Sequence, residues 1–192
     1  MTIPLFQPFA ALRPASGFAQ EVIAPPYDVV SDKEARELAR GKPWSFLHIS
    51  RPEIDLYQDT NIYADEVYKK GSENMAFMLR KGILIQDELP AYYIYRIKIG
   101  NHIQTGFVGT GSVKAYENNL IRRHELTRPT KEDDRVRQIL AVNAQTGPVL
   151  AIHKHDAELS AVTKEVCSIK PDDSICVNDA VHTLWVIRDT ET

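Results

Sequence analysis

Cysteine is scarce in this sequence. The 192 residues include two, Cys167 and Cys176, at no metal-ligand spacing. That argues against a thiolate metal site and for reduced thiols in a cytoplasm. Long apolar runs are missing too, so no segment approaches the length of a membrane span. The opening "MTIPLFQPFAALRP" has no basic start leading into a long apolar core, so it does not read as a signal peptide. Charge of one sign does not dominate. At a net charge of -3 the chain carries no electrostatic signature of a nucleic-acid or membrane partner. Repeats and low-complexity tracts are also absent.

What remains is ordinary for a soluble globular protein, with 43% hydrophobic and 26% charged residues. The length suits a single domain over residues 1–192 with ample material for a core. The proline-broken opening reads as an extended arm or edge strand. "EVIA" reads as a short strand, with Val22 to Ala24 extended. Ser31 and Glu34 form a capping-box pair for a helix that buries Ala35, Leu38 and Ala39 and stops at Gly41. "SFLHIS" reads as another short strand. A longer helix follows from about Asn61 to Lys81, with Ala64, Val67, Gly71, Met75 and Met78 on one face and Gly82 as its cap.

"AYYIYRIKI" and "HIQTGFVGTGSV" flank Gly100-Asn101, a strong hairpin signal. "VKAYENN" fits one or two helical turns. Thr130 is the expected N-cap of a helix through Ala144 that turns Val136, Ile139 and Leu140 inward. "GPVLAIHKH" reads as a strand, "AELSAVTKEVC" as a helix, and "DSICVND" and "HTLWVIR" as strands. The expected class is α+β, a mixed and mostly antiparallel sheet with flanking helices.

Two stretches carry candidate chemistry. In "VIAPPYDVV", Pro25 and Pro26 stiffen a loop that presents Tyr27 and Asp28 just before a helix N-terminus, a position that favours anions. The bland alternative is that Asp28 closes a turn and Tyr27 packs. In "RRHELTRPTKEDDR", Arg122, Arg123, His124, Glu125, Thr127, Lys131 and Arg135 crowd a loop and the helix start after it. Such cations bind phosphate oxygens, and a His-Glu pair can move protons or touch a metal. The alternative there is a solvated loop and ordinary ion pairs along a helix. "GFVGTGSV" departs from both the dinucleotide and P-loop patterns and reads as a bulged strand. His153 and His155 would share a strand face, but no further ligand is nominated for zinc, so no metal site is assigned. Trp44 and Trp185 read as core.

"IAPPYDVVSDKEARELA", "YYIYRI", "TGFVG", "RRHELTRPTKEDDR", "NAQTGPVLAI" and "VHTLWVIRD" occur in an order that resembles the bacterial family called domain of unknown function 1015. The Pro-Pro-Tyr-Asp and His-Glu-x-Thr motifs are its most specific parts. The resemblance implies the N-terminal half of a longer protein, since members run to about twice this length. There, an Ala-Asp-Gly-His-His-Arg motif follows the segment matching "HTLWVIR". It further implies a remote likeness to ParB-like proteins, a group that includes a kinase acting on free serine. The implied activity is phosphoryl transfer from ATP or ADP, with Mg²⁺, to a small-molecule hydroxyl such as that of serine. Asp28, His124 and Glu125 would be the catalytic candidates, and Tyr27, Arg123, Thr127, Lys131 and Arg135 would contact substrate or phosphate. A non-catalytic nucleotide switch and a scaffold domain are the alternatives.

Overall fold

The computed structural model describes residues 4–124 and 127–188. In chain order the elements are β1 (Phe6–Gln7), β2 (Leu12–Pro14), α1 (Ala19–Val22), α2 (Asp32–Ala39), α3 (Leu47–Ser50), a 3-10 turn (Pro52–Asp55) and α4 (Asp65–Arg80). Then follow β3 (Leu84–Gln86), β4 (Tyr92–Ile99), β5 (His102–Val108), β6 (Thr110–Gly111), α5 (Val113–Glu117), α6 (Pro129–Val142), α7 (Ala157–Val166), β7 (Asp173–Val177) and β8 (Ala180–Ile187). They form two compact units of non-contiguous chain. The sheet unit takes residues 4–16, 86–124 and 152–188, and the helical unit takes residues 17–85 and 127–151.

The sheet unit is built on an antiparallel sheet ordered β5-β4-β8-β7, and the class is α+β as expected. Tyr92 to Ile99 pairs with His102 to Val108 across Gly100-Asn101, as the turn residues predict. Gly100 has φ +55°, the conformation a tight hairpin turn demands and only glycine adopts freely. Asn178 and Asp179, at φ +48° and +65°, make the equivalent turn between β7 and β8. Ile94 and Trp185 face each other in the register of β4 and β8, and both are buried. The break between β5 and β6 falls at Gly109, where a Cβ would meet the Phe6 ring at 2.5 Å and the Gln7 carbonyl at 2.8 Å. That close approach lets the N-terminal arm pair β1 with β6. The arm is locked by Arg13, whose guanidinium meets Asp87 at 2.9 Å, and by the Tyr93 hydroxyl, which donates to the same carboxylate at 2.7 Å.

In the helical unit, the capping box of α2 forms as the sequence predicts. Ser31 Oγ accepts from the Glu34 amide at 3.3 Å, and the Glu34 carboxylate accepts from the Ser31 amide at 2.8 Å. Ala35 and Ala39 bury against Leu47, with Ala24, Val30 and Ile54 around them. Leu38, expected inside, is exposed. Gly41 follows the helix with φ +72°. The long helix α4 buries Val67, Gly71, Met75 and Met78 as its period predicts, but it starts at Asp65 and not near Asn61, leaving Ala64 as a half-buried N-cap; Gly82 follows its end with φ +67°. Burial of each methionine contributes about 1.5–3 kcal/mol.

Several further expectations are corrected. Val22 to Ala24 is not a strand. Residues 19–22 close one helical turn on the Phe18 carbonyl, and Pro25 forces the following chain to extend. The "LHIS" part of "SFLHIS" is a helical turn, not a strand: the amides of residues 48–51 bond back to the carbonyls of Ser45, Phe46 and Leu47, and the adjacent pair Ile49 and Ser50 both bury. "GPVLAIHKH" is exposed irregular chain, so His153 and His155 do not share a strand face. Helix α6 begins one residue before Thr130, with Arg128 as N-cap and Pro129 at the first helical position, where its fixed φ and missing N–H cost nothing. It ends at Val142 on a left-handed Asn143. Its inward face is Asp134, Gln138 and Val142, whereas Val136 and Leu140 point to solvent and Ile139 is half-buried. Trp185 is core, while Trp44 is half-buried and stacked on Phe77 at 5.6 Å.

Candidate functional site

Helix α6 packs against α4 within the helical unit, and α4 also packs against α3 and the 3-10 turn. Between these elements and the Pro-Pro-Tyr-Asp loop lies a cavity of about 280 Å³. Its lining includes Tyr27, Asp28, Ser50, Arg51, Glu53, Tyr68, Lys131, Asp134, Arg135 and Gln138. Four of the residues nominated from sequence, Tyr27, Asp28, Lys131 and Arg135, therefore meet in one place although about 100 positions separate loop from helix.

The stiff loop has a physical clamp that sequence reasoning did not find. Arg51 Nη1 donates to the carbonyls of Tyr27 at 2.8 Å and Val30 at 2.7 Å, bracketing Asp28. Arg51 Nη2 donates to Asp32 at 3.1 Å, and Nε pairs with Glu53. Burial opposes the charge on Arg51, but the hydrogen bonds and charges of Glu53 and Asp32 outweigh it and raise its pKa. Four of the five guanidinium N–H groups are used in this way, so Arg51 serves chiefly to hold the loop. The side chain of Asp28 is left exposed at the cavity, with no hydrogen bond or ion pair among the described residues.

Across the cavity, the α6 side chains form a chain of contacts. The Tyr68 hydroxyl donates to Asp134 Oδ1 at 2.8 Å, and Arg135 donates to Asp134 Oδ2 at 2.7 Å. The Arg135 guanidinium lies 4.0 Å from the centre of the Tyr27 ring, so the aromatic half of the loop is capped by a cation. Burial, followed by the neighbouring Asp134 carboxylate, pushes the Tyr68 pKa up to about 12, so its proton stays on oxygen. Lys131 lines the same cavity, exposed and without an ion pair among the described residues.

The other nominated residues that are described do not line this cavity. Arg123 belongs to the sheet unit and stacks on Tyr116 at 4.7 Å. His124, also of that unit, is exposed. Glu125 lies outside the described residues. Thr127 donates to Glu132 at 2.7 Å at the start of α6 and does not line the cavity. Among the described residues no group of three or more His, Cys, Asp or Glu is placed to hold a metal ion. No helix among them is long and apolar enough to cross a membrane.

The residues missed in sequence are Ser50, Arg51, Glu53, Tyr68, Asp134 and Gln138. Asp134, Gln138 and Val142 do stand four residues apart, a helical period, but polar residues at that spacing usually mark the solvent face. Neither a curated protein nor a solved structure matches the chain. A family model described as Protein of unknown function (DUF1015) does match it, over residues 6–192. The chain belongs to that family.

Proposed function

We propose that the helical unit carries the acceptor site of a nucleotide-dependent phosphotransferase acting on a small hydroxyl compound, with free serine as the favoured acceptor. The observation that carries this reading is the meeting of Asp28, on its clamped loop, with Lys131 and Arg135 at one cavity. Phosphoryl transfer depends mostly on positioning and charge stabilisation. In this reading the acceptor hydroxyl gives its proton to the Asp28 carboxylate as its oxygen forms a bond to the terminal phosphorus of ATP or ADP. The bond from that phosphorus to the leaving nucleotide oxygen breaks. Lys131 and Arg135 offset the charge on the transferred group. Mg²⁺ carried by the nucleotide would supply further neutralisation of the phosphate oxygens, while Asp28 is assigned to the acceptor hydroxyl. The cavity falls just below the usual size range of small-ligand pockets, which favours an acceptor over a whole nucleotide. Such a reaction belongs in the cytoplasm, where nucleotides and free amino acids are available.

The test is formation of phosphoserine from serine with ATP or ADP. Asp28→Asn keeps the shape of the loop and removes the proton acceptor, so turnover should fall about 10²–10⁴-fold while nucleotide affinity holds. Unchanged turnover removes Asp28 from catalysis. The alternative reading is a nucleotide-binding regulatory domain of ParB-like type. Nucleotide binding without turnover on any hydroxyl compound would select it.

A further inference from the structure

Three buried side chains that line the cavity each keep an oxygen with no hydrogen bond among the described residues. Ser50 is 8% exposed, and its hydroxyl makes no hydrogen bond there. Gln138, 1% exposed, gives its amide nitrogen to the Ile49 carbonyl at 2.6 Å, which fixes the orientation of the amide and leaves its carbonyl oxygen over. Glu53, 5% exposed, uses one carboxylate oxygen on Arg51 and leaves the other. Buried polar atoms are rarely left without partners, because desolvation without a hydrogen bond is costly. Solvent can reach them in an open cavity, and a ligand that displaces it has to replace its bonds.

The chemistry of the three is one-sided. Two are acceptors only, and the third, a hydroxyl, can also accept. The cavity lining itself balances, with Arg51, Lys131 and Arg135 against Asp28, Glu53 and Asp134, and the ion-paired cluster beside these oxygens adds Asp32 behind Arg51. At these three oxygens a carboxylate or phosphate would find acceptors and little to bond, and an alcohol has a single proton to give. A primary ammonium has three donors and a positive charge. We infer that Ser50, Glu53 and Gln138 form a subsite for a primary ammonium group, so that the cavity selects amines. This rests on reading the cavity as an acceptor site, but it concerns binding, and so it is separable from phosphoryl transfer.

Calorimetric titration of the full chain with no nucleotide present tests it on two matched pairs, L-serine against 3-hydroxypropanoate and ethanolamine against ethylene glycol. At least one amine should bind and be preferred over its partner. Ser50→Ala removes a hydroxyl that bonds to nothing in the protein, so the melting temperature should hold while the amine preference falls about tenfold. Absence of an amine preference in both pairs, including absence of binding, overturns the inference. A preference that survives unchanged in Ser50→Ala overturns its assignment to this subsite. Amine-selective binding without phosphoserine formation would instead uphold the subsite and count against the transferase reading.

Discussion

Replacement of Gly71 by alanine sets two measurable effects against each other. In the middle of an exposed helix the change stabilises by about 1 kcal/mol, because alanine loses less backbone entropy. In α4 the new Cβ would stand 2.9 Å from Pro52 Cγ, 3.2 Å from Gln138 Nε2 and 3.4 Å from the Ile49 carbonyl oxygen. The first of these distances is well inside van der Waals contact. The proline ring cannot rotate away, and the Gln138 amide is held by its own hydrogen bond to Ile49. Overpacking of this kind costs about 1–3 kcal/mol. Steric cost therefore wins, and Gly71→Ala should destabilise by about 1 kcal/mol net. Urea denaturation followed by circular dichroism reads it directly, as a lower midpoint with an unchanged slope. Binding of any cavity ligand should weaken in the same variant, because Gln138 is displaced. A Gly71→Ala protein that is more stable than the parent would show that the approach of α4 to the 3-10 turn has slack, and that Gly71 serves no packing purpose.

Arg51→Met removes the clamp on the Tyr27 and Val30 carbonyls and leaves Glu53 buried without its partner, which costs about 3–5 kcal/mol; a loss in thermal denaturation below 1 kcal/mol would refute the clamp. His48 meets acceptors at both ring nitrogens, Asp55 at 2.8 Å and the Lys42 carbonyl at 3.1 Å. Its pKa is raised by the Asp55 hydrogen bond against the opposing effect of burial, with nearby Lys70 also working to lower it. A raised folded value means that the stability from the charged ring is full below the unfolded value of 6.5 and is lost as pH rises through the folded value. The urea midpoint should therefore decline as pH rises past 6.5, and His48→Gln should flatten that decline; an identical pH profile in the variant would refute it. Leu140 is 75% exposed, so Leu140→Lys should change stability by less than about 0.5 kcal/mol, whereas a core position would lose several times more on the same urea titration.

Local chemistry made the regular parts of this fold legible. Gly100-Asn101, the Ser31 and Glu34 pair and the apolar period of α4 each act through neighbours in sequence, and each formed as expected. The short segments around Val22 and Leu47 failed because a brief apolar run fits a buried helical turn as well as a strand, and tertiary burial decides between them. Helix α6 misled for a different reason. Its apolar residues Val136 and Leu140 look like the inward face, yet Asp134 and Gln138 take that side because Tyr68, Arg135 and the Ile49 carbonyl satisfy them there. Those partners lie outside any sequence window around α6, except Arg135. For the candidate site, the residue types and the loop were legible, since Tyr27, Asp28, Lys131 and Arg135 line one cavity. The clamp by Arg51 and the oxygens of Ser50, Glu53 and Gln138 were not, because they depend on which side chains finish without a partner.

The interleaving of the two units fixes an order of events during synthesis. Tyr27, Ser50, Arg51 and Glu53 leave the ribosome long before Lys131, Asp134 and Gln138, and the whole stretch from residue 86 to 124, which belongs to the sheet unit, comes between. A nascent chain ending anywhere before α6 has one wall of the cavity and not the other, and its α4 face lacks the helix that covers it. Chains fold from the N-terminus as they emerge, and exposed apolar surface in such intermediates invites aggregation. The helical unit must therefore wait for its closing helix. Neither unit can be cut out as one continuous stretch of sequence, so a fragment carrying the Pro-Pro-Tyr-Asp loop alone is not a smaller version of the site.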